Sequence, residues 1–166
     1  MKYLEFRPSE TFKVIADKVF KEQKQKILEQ LAFVEVEHVG ATPIHGLLTK
    51  GDLDVNVRVN KDNFDKTLEI LKEMYEINQP DNWTNTFASF KDDKNLEIDF
   101  GVQLTIVDSP EDYFVKQRDI LLQNPALVKE LNHIKEWYEV EGKSMDEYRK
   151  AKSEFFDRIL KKHEKL

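Results

Sequence analysis

The sequence predicts an α+β domain: a small mixed β-sheet flanked by helices, with a helical C-terminal third. Three observations carry this. One helical stretch precedes a run of alternating segments, residues 52–59 alternate apolar and polar side chains without a break, and three helix-start signals follow residue 108. The 166 residues show no repeat, low-complexity tract or Pro/Gly/Ser linker, so a single domain over 1–166 is expected. A chain of that length buries roughly 70% of its unfolded surface, enough for one core.

Ser9 is placed to cap a first helix in which Phe12, Ile15, Val19, Ile27, Leu28 and Leu31 recur at three- and four-residue steps. Residues 33–39 then alternate as a short strand stopped by Gly40, and a loop runs to Gly51. In Asp52–Val59, Leu53, Val55, Val57 and Val59 point one way and Asp52, Asp54, Asn56 and Arg58 the other. Phe64, Leu68, Leu71 and Tyr75 have the spacing of a crossover helix, and Tyr75–Ile77 can open another strand. Thr84–Phe90 and Leu96–Val107, flanking the turn at 92–95, read as a hairpin whose second arm carries Glu97, Asp99 and Gly101 on one face. Ser109-Pro110-Glu111-Asp112 and Asn124-Pro125 each look like a helix start, and Ser144-x-x-Glu147 is a capping box. Gly142 is the expected stop of the penultimate helix.

Composition narrows the chemistry. With no Cys, disulfides, thiolate zinc sites, iron–sulfur clusters and a cysteine nucleophile are excluded, and a reducing cytoplasmic setting is expected. No apolar run approaches the roughly 20 residues of a membrane span, and the start MKYLEFRPSE lacks the apolar segment of a signal peptide. A net charge of −6, from 26 basic and 32 acidic side chains, argues against a protein that coats long duplex nucleic acid.

Chemistry concentrates around the alternating strand. If its neighbours are the strands ending at Gly40-Ala41-Thr42 and carrying Asp99 or Glu97, then Asp52, Asp54 and Asp99 point toward one volume. Like charges that close raise one another's pKa, so such a set calls for a bound cation or shared protons. Oxygen ligands without Cys select Mg²⁺ or Mn²⁺, and Gly40 lets backbone N–H groups approach phosphates. An Asp-x-Asp pair taken alone is more often just the wet face of an amphipathic strand.

A glycine turn about a dozen residues before Asp-x-Asp, with a later strand acid, resembles the nucleotidyltransferase superfamily. More narrowly, VEHVGATPIHGLLTKGDLDVNV is similar to the central motif of the GrpB family, with Glu37, His38, Gly40, Thr42, Gly46, Leu47, Lys50 and Asp54 in register. Arg118-Asp119, Leu121 and Asn124-Pro125, then Tyr148-x-x-Ala151-Lys152-x-x-Phe155, extend the likeness over most of the chain. Ala41 stands where the family usually has serine, removing a phosphate-binding hydroxyl; His45 replaces a usual proline. Glu97 and Asp99 stand where many relatives have histidines.

The resemblance implies a nucleotidyltransferase-like fold and a divalent-metal-dependent transfer of a nucleotidyl group from a nucleoside triphosphate to an unidentified small-molecule, protein or RNA hydroxyl. Asp52, Asp54 and Asp99 are the expected catalytic and metal-ligating residues, with Glu97 as the alternative third carboxylate. Gly40, Ala41, Thr42, Lys50, His38, Arg118 and Lys152 are the expected nucleotide or phosphate partners. His38 reads equally as a half-buried strand residue, Lys50 as a solvated loop lysine, and Arg118 and Lys152 as partners of surface acids. A catalytically silent nucleotide- or metal-binding regulatory module and a metal-dependent phosphohydrolase are the alternatives. The acceptor, base preference and oligomeric state are not legible.

Overall fold

Residues 5–164 are described by the computed structural model, so the outermost residues of the expected 1–166 domain, 1–4 and 165–166, lie outside the described part. A short β1 (Arg7–Pro8) and a 3₁₀ turn (Ser9–Phe12) lead into α1 (Lys13–Gln30), followed by β2 (Glu35–Val39), β3 (Leu48–Thr49) and β4 (Leu53–Val59). Next come α2 (Phe64–Met74), β5 (Glu76–Ile77), β6 (Phe87–Asp92) and β7 (Phe100–Ile106). Helices α3 (Phe114–Gln123), α4 (Pro125–Glu141) and α5 (Met145–His163) complete the chain. Among the described residues no helix is long and apolar enough to cross a membrane.

The main sheet has the order β2-β4-β7-β6-β5. It is mixed: β4 and β7 run parallel, with α2, β5 and β6 between them in the chain, and the other pairs are antiparallel. The expected alternation in β4 holds. Leu53, Val55, Val57 and Val59 are buried against Ala16, Val19 and Ile27 of α1 and Phe64 and Leu71 of α2. The opposite, polar face of β4 is covered by α3, α4 and α5, whose own core joins Leu121, Val128, Leu131, Phe155 and Ile159 to Ile44 and Leu47 of the loop after β2. The apolar half of the strand therefore holds the fold, and the polar half is roofed by helices.

Several expected elements shift. Ser9 does not cap α1: it is buried, and its hydroxyl donates to the Ile44 carbonyl at 2.5 Å, so it ties the loop instead. The loop after Gly40 contains β3, which pairs with β1; neither strand was legible, because two-residue strands are too short to alternate. The second hairpin arm starts at Phe100, four residues later than expected, since Asp92 accepts from the backbone N–H groups of Lys94 and Asn95 and bends the chain there. The signal at residues 109–112 is not the start of α3. Glu111 accepts from the Thr84 and Thr86 hydroxyls, and Asp112 accepts from Arg58 and from the Asp108 N–H, so both acids fasten the turn to the sheet. Asn124-Pro125 does open α4, and the Ser144–Glu147 capping box opens α5 with both of its hydrogen bonds formed.

Candidate functional site

The site is built around Asp54. Strand pairing sets Val39 of β2 opposite Asp54 on one side and Gly101 of β7 opposite it on the other. Its carboxylate lies between two glycines. A Cβ placed on Gly40 would sit 2.6 Å from Asp54 Oδ2, and one placed on Gly101 would sit 2.9 Å from Oδ1. Gly40 also has φ +76°, a left-handed conformation that costs other residues about 1–2 kcal/mol. Gly40→Ala is therefore expected to destabilise the protein by about that amount and to push the Asp54 carboxylate aside. A denaturant melt combined with a nucleotide titration checks both effects.

Above Asp54 lies a cavity of about 190 Å³. Val39, Gly40, Ala41, Asp54 and Gln103 line it from the sheet side, and Phe114, Arg118, Lys135, Lys152 and Phe156 line it from the three C-terminal helices. Burial raises the Asp54 pKa to about 6, aided by the charge on Asp52 and opposed by Lys152, the Gln103 amide and Lys50. Asp52, just before β4, is shifted upward chiefly by burial, with Asp99 adding to the shift and Lys50 and Lys152 opposing it. Lys152 moves the other way: burial lowers it, against the attraction of Asp54 and Asp52. Two carboxylates held against their preferred ionisation, facing amines, make a site that favours incoming charge.

The expected residues divide. Asp52, Asp54, Gly40, Ala41, Lys50, Lys152 and Arg118 gather at or beside the cavity. Asp99 is exposed and precedes β7; its carbonyl accepts from the Leu53 N–H at 2.8 Å, and its carboxylate is close enough to act on Asp52. Glu97 is turned away: it pairs with Lys18 of α1 at 3.2 Å and is no third carboxylate for Asp54. Among the described residues no group of three or more His, Cys, Asp or Glu side chains is placed to hold a metal ion. Asp52 and Asp54, whose charges act on each other, would be the residues to hold a hydrated Mg²⁺ or Mn²⁺, an ion that commonly takes one or two carboxylates and draws its other ligands from water and substrate phosphates.

His38 corrects an expectation. It alternates with Glu37 and Val39, so its ring lies on the other face of β2, stacked on Phe20 with centroids 5.0 Å apart. There it shares a 2.7 Å hydrogen bond with Thr42 Oγ1, and burial lowers its pKa to about 4. Thr42 is buried as well, so the pair pins the Gly40 turn from behind and neither side chain faces the cavity. Arg118 reaches the cavity edge already engaged, donating to Glu37 at 2.6 Å, to the His38 carbonyl at 3.1 Å and to Asp119 at 3.0 Å.

Gln103 and Lys135 are among the cavity residues that the sequence did not single out. Gln103 lies two positions after Gly101 on the same strand face and was hidden among β-forming neighbours. Lys135 lies four residues after Leu131 and seven after Val128, on the buried stripe of α4; the helical period gives its direction, but a lysine in that stripe reads as solvent-facing.

A mixed sheet carrying a glycine turn and a strand acid under a helical layer is a nucleotidyltransferase-like fold. The chain is similar to the Cid1 poly(U) polymerase in its MgGTP-bound crystal structure, with TM-score 0.60 and 14% identity over 82% of this chain and 45% of that one. The chain thus spans under half of that polymerase. The crystal structure of the conserved protein GrpB from Enterococcus faecalis matches with TM-score 0.69 and 20% identity, covering 89% of this chain and 94% of that chain. The family model described as GrpB protein matches residues 16–162, and the chain belongs to the GrpB family. A UPF0157 protein of Vibrio cholerae is 27% identical over 157 residues, covering 95% of this chain and 82% of that protein.

Proposed function

We propose that this protein binds a nucleoside triphosphate together with Mg²⁺ or Mn²⁺ and transfers its nucleotidyl group to a hydroxyl acceptor, breaking the bond between the α- and β-phosphates and releasing pyrophosphate. The observation that carries this reading is the Asp54 carboxylate, wedged between Gly40 and Gly101 beside Asp52 and facing Lys152 across a cavity under the C-terminal helices. Asp52 and Asp54 would hold the metal. When bound, it offsets the charge that develops on the phosphate oxygens during transfer. The Gly40–Ala41 backbone lies against the phosphates, while Lys50 and Lys152 draw them in. Asp99, at the solvent side of Asp52, takes the proton of the acceptor hydroxyl. The bound nucleotide in Cid1 supports a nucleotide partner for this fold.

Asp54→Ala is expected to abolish Mg²⁺-dependent nucleotide binding in calorimetry while keeping a cooperative melt; full binding in this variant would sink the metal role. One observation favours a second reading. Ala41 packs its methyl group with the apolar cluster of Ile44 and Leu47, where a serine would offer a hydroxyl, and this suits a module that binds nucleotide without turnover. Incubation with labelled nucleoside triphosphates, Mg²⁺ or Mn²⁺ and cell extract separates the cases. A labelled acceptor marks transfer, binding without product marks the silent module, and nucleoside monophosphate with no labelled acceptor marks a phosphohydrolase.

A further inference from the structure

We infer that Gln103 is a specificity-determining residue: its side-chain oxygen, on the sheet-side wall of the cavity, accepts an uncharged O–H or N–H group from the sugar or base of the bound nucleotide. The inference rests on the nucleotide reading above and adds a contact that the phosphates cannot make.

Gln103 lies two residues after Gly101 on β7, on the face shared with Asp54. A Cβ built on Gly101 would sit 2.9 Å from Asp54 Oδ1 and 3.5 Å from Gln103 Nε2, so the amide nitrogen and the carboxylate border the same gap. Across it the amide helps to hold the Asp54 carboxyl in its ionised form. This decides which way the amide is turned, because the reversed orientation would set two oxygens against each other. With Nε2 directed to Asp54, Oε1 is left buried and without a donor among the described residues. The neighbouring strand repeats the shortage. Asn56 is paired with Gln103 in the β4–β7 register and is fully buried. Its Nδ2 donates to the Gln103 backbone carbonyl and to Thr105 Oγ1, both at 3.0 Å, and its Oδ1 has no donor either.

A buried carbonyl oxygen without a partner is unfavourable, and more so away from water. Phe114, Leu121, Leu131 and Phe156 line the same cavity and supply its apolar surroundings. The chemistry of the missing partner follows from the oxygen itself. It can only accept, so it repels an ionised phosphate and fits a hydroxyl or amino hydrogen. In a nucleoside triphosphate those hydrogens belong to the sugar and the base. Gln103 lines the cavity and Asn56 does not, so Gln103 makes the contact while Asn56 holds its backbone from behind. At about 190 Å³ the cavity is smaller than the roughly 300–1,000 Å³ of sites that enclose a whole ligand, so it takes one edge of the sugar or base. A site built on such an acceptor rejects analogues that lack the donor, because the oxygen then stays unpaired.

The test is calorimetry in Mg²⁺ with ATP, GTP, CTP and UTP, followed by analogues of the best-bound one that lack the 2′-hydroxyl, the 3′-hydroxyl or the N–H donor of the base. One of these analogues should bind the wild-type protein about tenfold or more weakly than its parent, the usual penalty for a buried acceptor left unpaired. Which analogue it is tells sugar from base. In Gln103→Met, a side chain of similar length without the amide, that analogue and its parent should bind within about twofold of each other. Should Gln103→Met not fold, the wild-type protein gives the answer: at saturation the Gln103 Cδ resonance should lie further downfield with the parent nucleotide than with the analogue. Equal binding of the parent and every analogue, discrimination that survives in Gln103→Met, or identical Cδ positions would overturn the inference and leave the nucleotide reading standing. Absence of binding by all four nucleotides would remove that reading and the inference with it.

Discussion

Asp54→Asn is expected to make the ligand-free protein more stable at pH 7 while removing its Mg²⁺-dependent nucleotide binding. The sign follows from the shift. Burial and the Asp52 charge raise the Asp54 pKa from 3.8 to about 6, so the folded state holds this proton more tightly than the unfolded chain does. The ionised carboxylate therefore costs nothing below about pH 3.8, costs progressively more as pH rises toward 6, and carries its full penalty above that. A shift of this size, already net of the attraction to Lys152, corresponds to about 2–3 kcal/mol, of which the lower end is the working figure. At that end the melting temperature should rise by about 4–8 °C at pH 7. The difference from wild type should vanish near pH 3.5, where both side chains are neutral. If the Asp54→Asn protein melts at or below the wild-type temperature at pH 7, Asp54 is not held there at a cost.

Asp112→Ala should have the opposite and larger effect. Asp112 is 6% exposed and receives both Nε and a terminal nitrogen of Arg58, at 2.8 and 2.7 Å, in a two-pronged ion pair that joins the end of β4 to the turn before α3. It also accepts from the Asp108 N–H at 2.8 Å. Removing one partner of a largely buried pair leaves the other charge partly uncompensated, which costs about 3–5 kcal/mol. Glu35 remains to hold Arg58 from its exposed side, so the lower figure is expected. A chemical denaturation curve should show a reduced midpoint with an unchanged slope; a loss under about 1 kcal/mol would mean that this pair does not fasten the turn.

How much of this was legible in the chain depended on whether a residue acts through period or through distance. The β4 pattern was readable because one face is fully buried, so each apolar side chain repeats the message of the one two positions earlier. The α5 capping box was readable because its donor and acceptor lie three residues apart. Ser9 failed for the complementary reason: the same hydroxyl that can cap a helix can bond a carbonyl 35 residues away, and local spacing cannot tell these apart. Asp99 and Glu97 were read as one strand face, but the bend after Asp92 releases both from the ladder and lets Glu97 reach Lys18. Lys135 was hidden by its own residue type. Asp54 and Gly40 were found by sequence spacing, whereas their contact with Gly101 depends on the parallel register of β4 and β7, which no local pattern encodes.

The loop between β2 and β4 carries a consequence for how the protein assembles. Its backbone is held from one side by Glu10, which accepts from the Gly46 N–H across 36 residues of chain. From the other side α4 holds it: Asn132 bonds Gly46 and Leu48 across 86 and 84 residues, and Lys135 bonds Leu48 across 87. Contacts of such separation form only after the long intervening segment has been closed, so they belong to the late part of folding. The sheet can form its apolar core with α1 and α2 while this loop is still unfixed. Docking of α4 is then the event that completes the site, and a chain lacking its last two helices would retain the sheet's core residues but not the shape that surrounds Asp54.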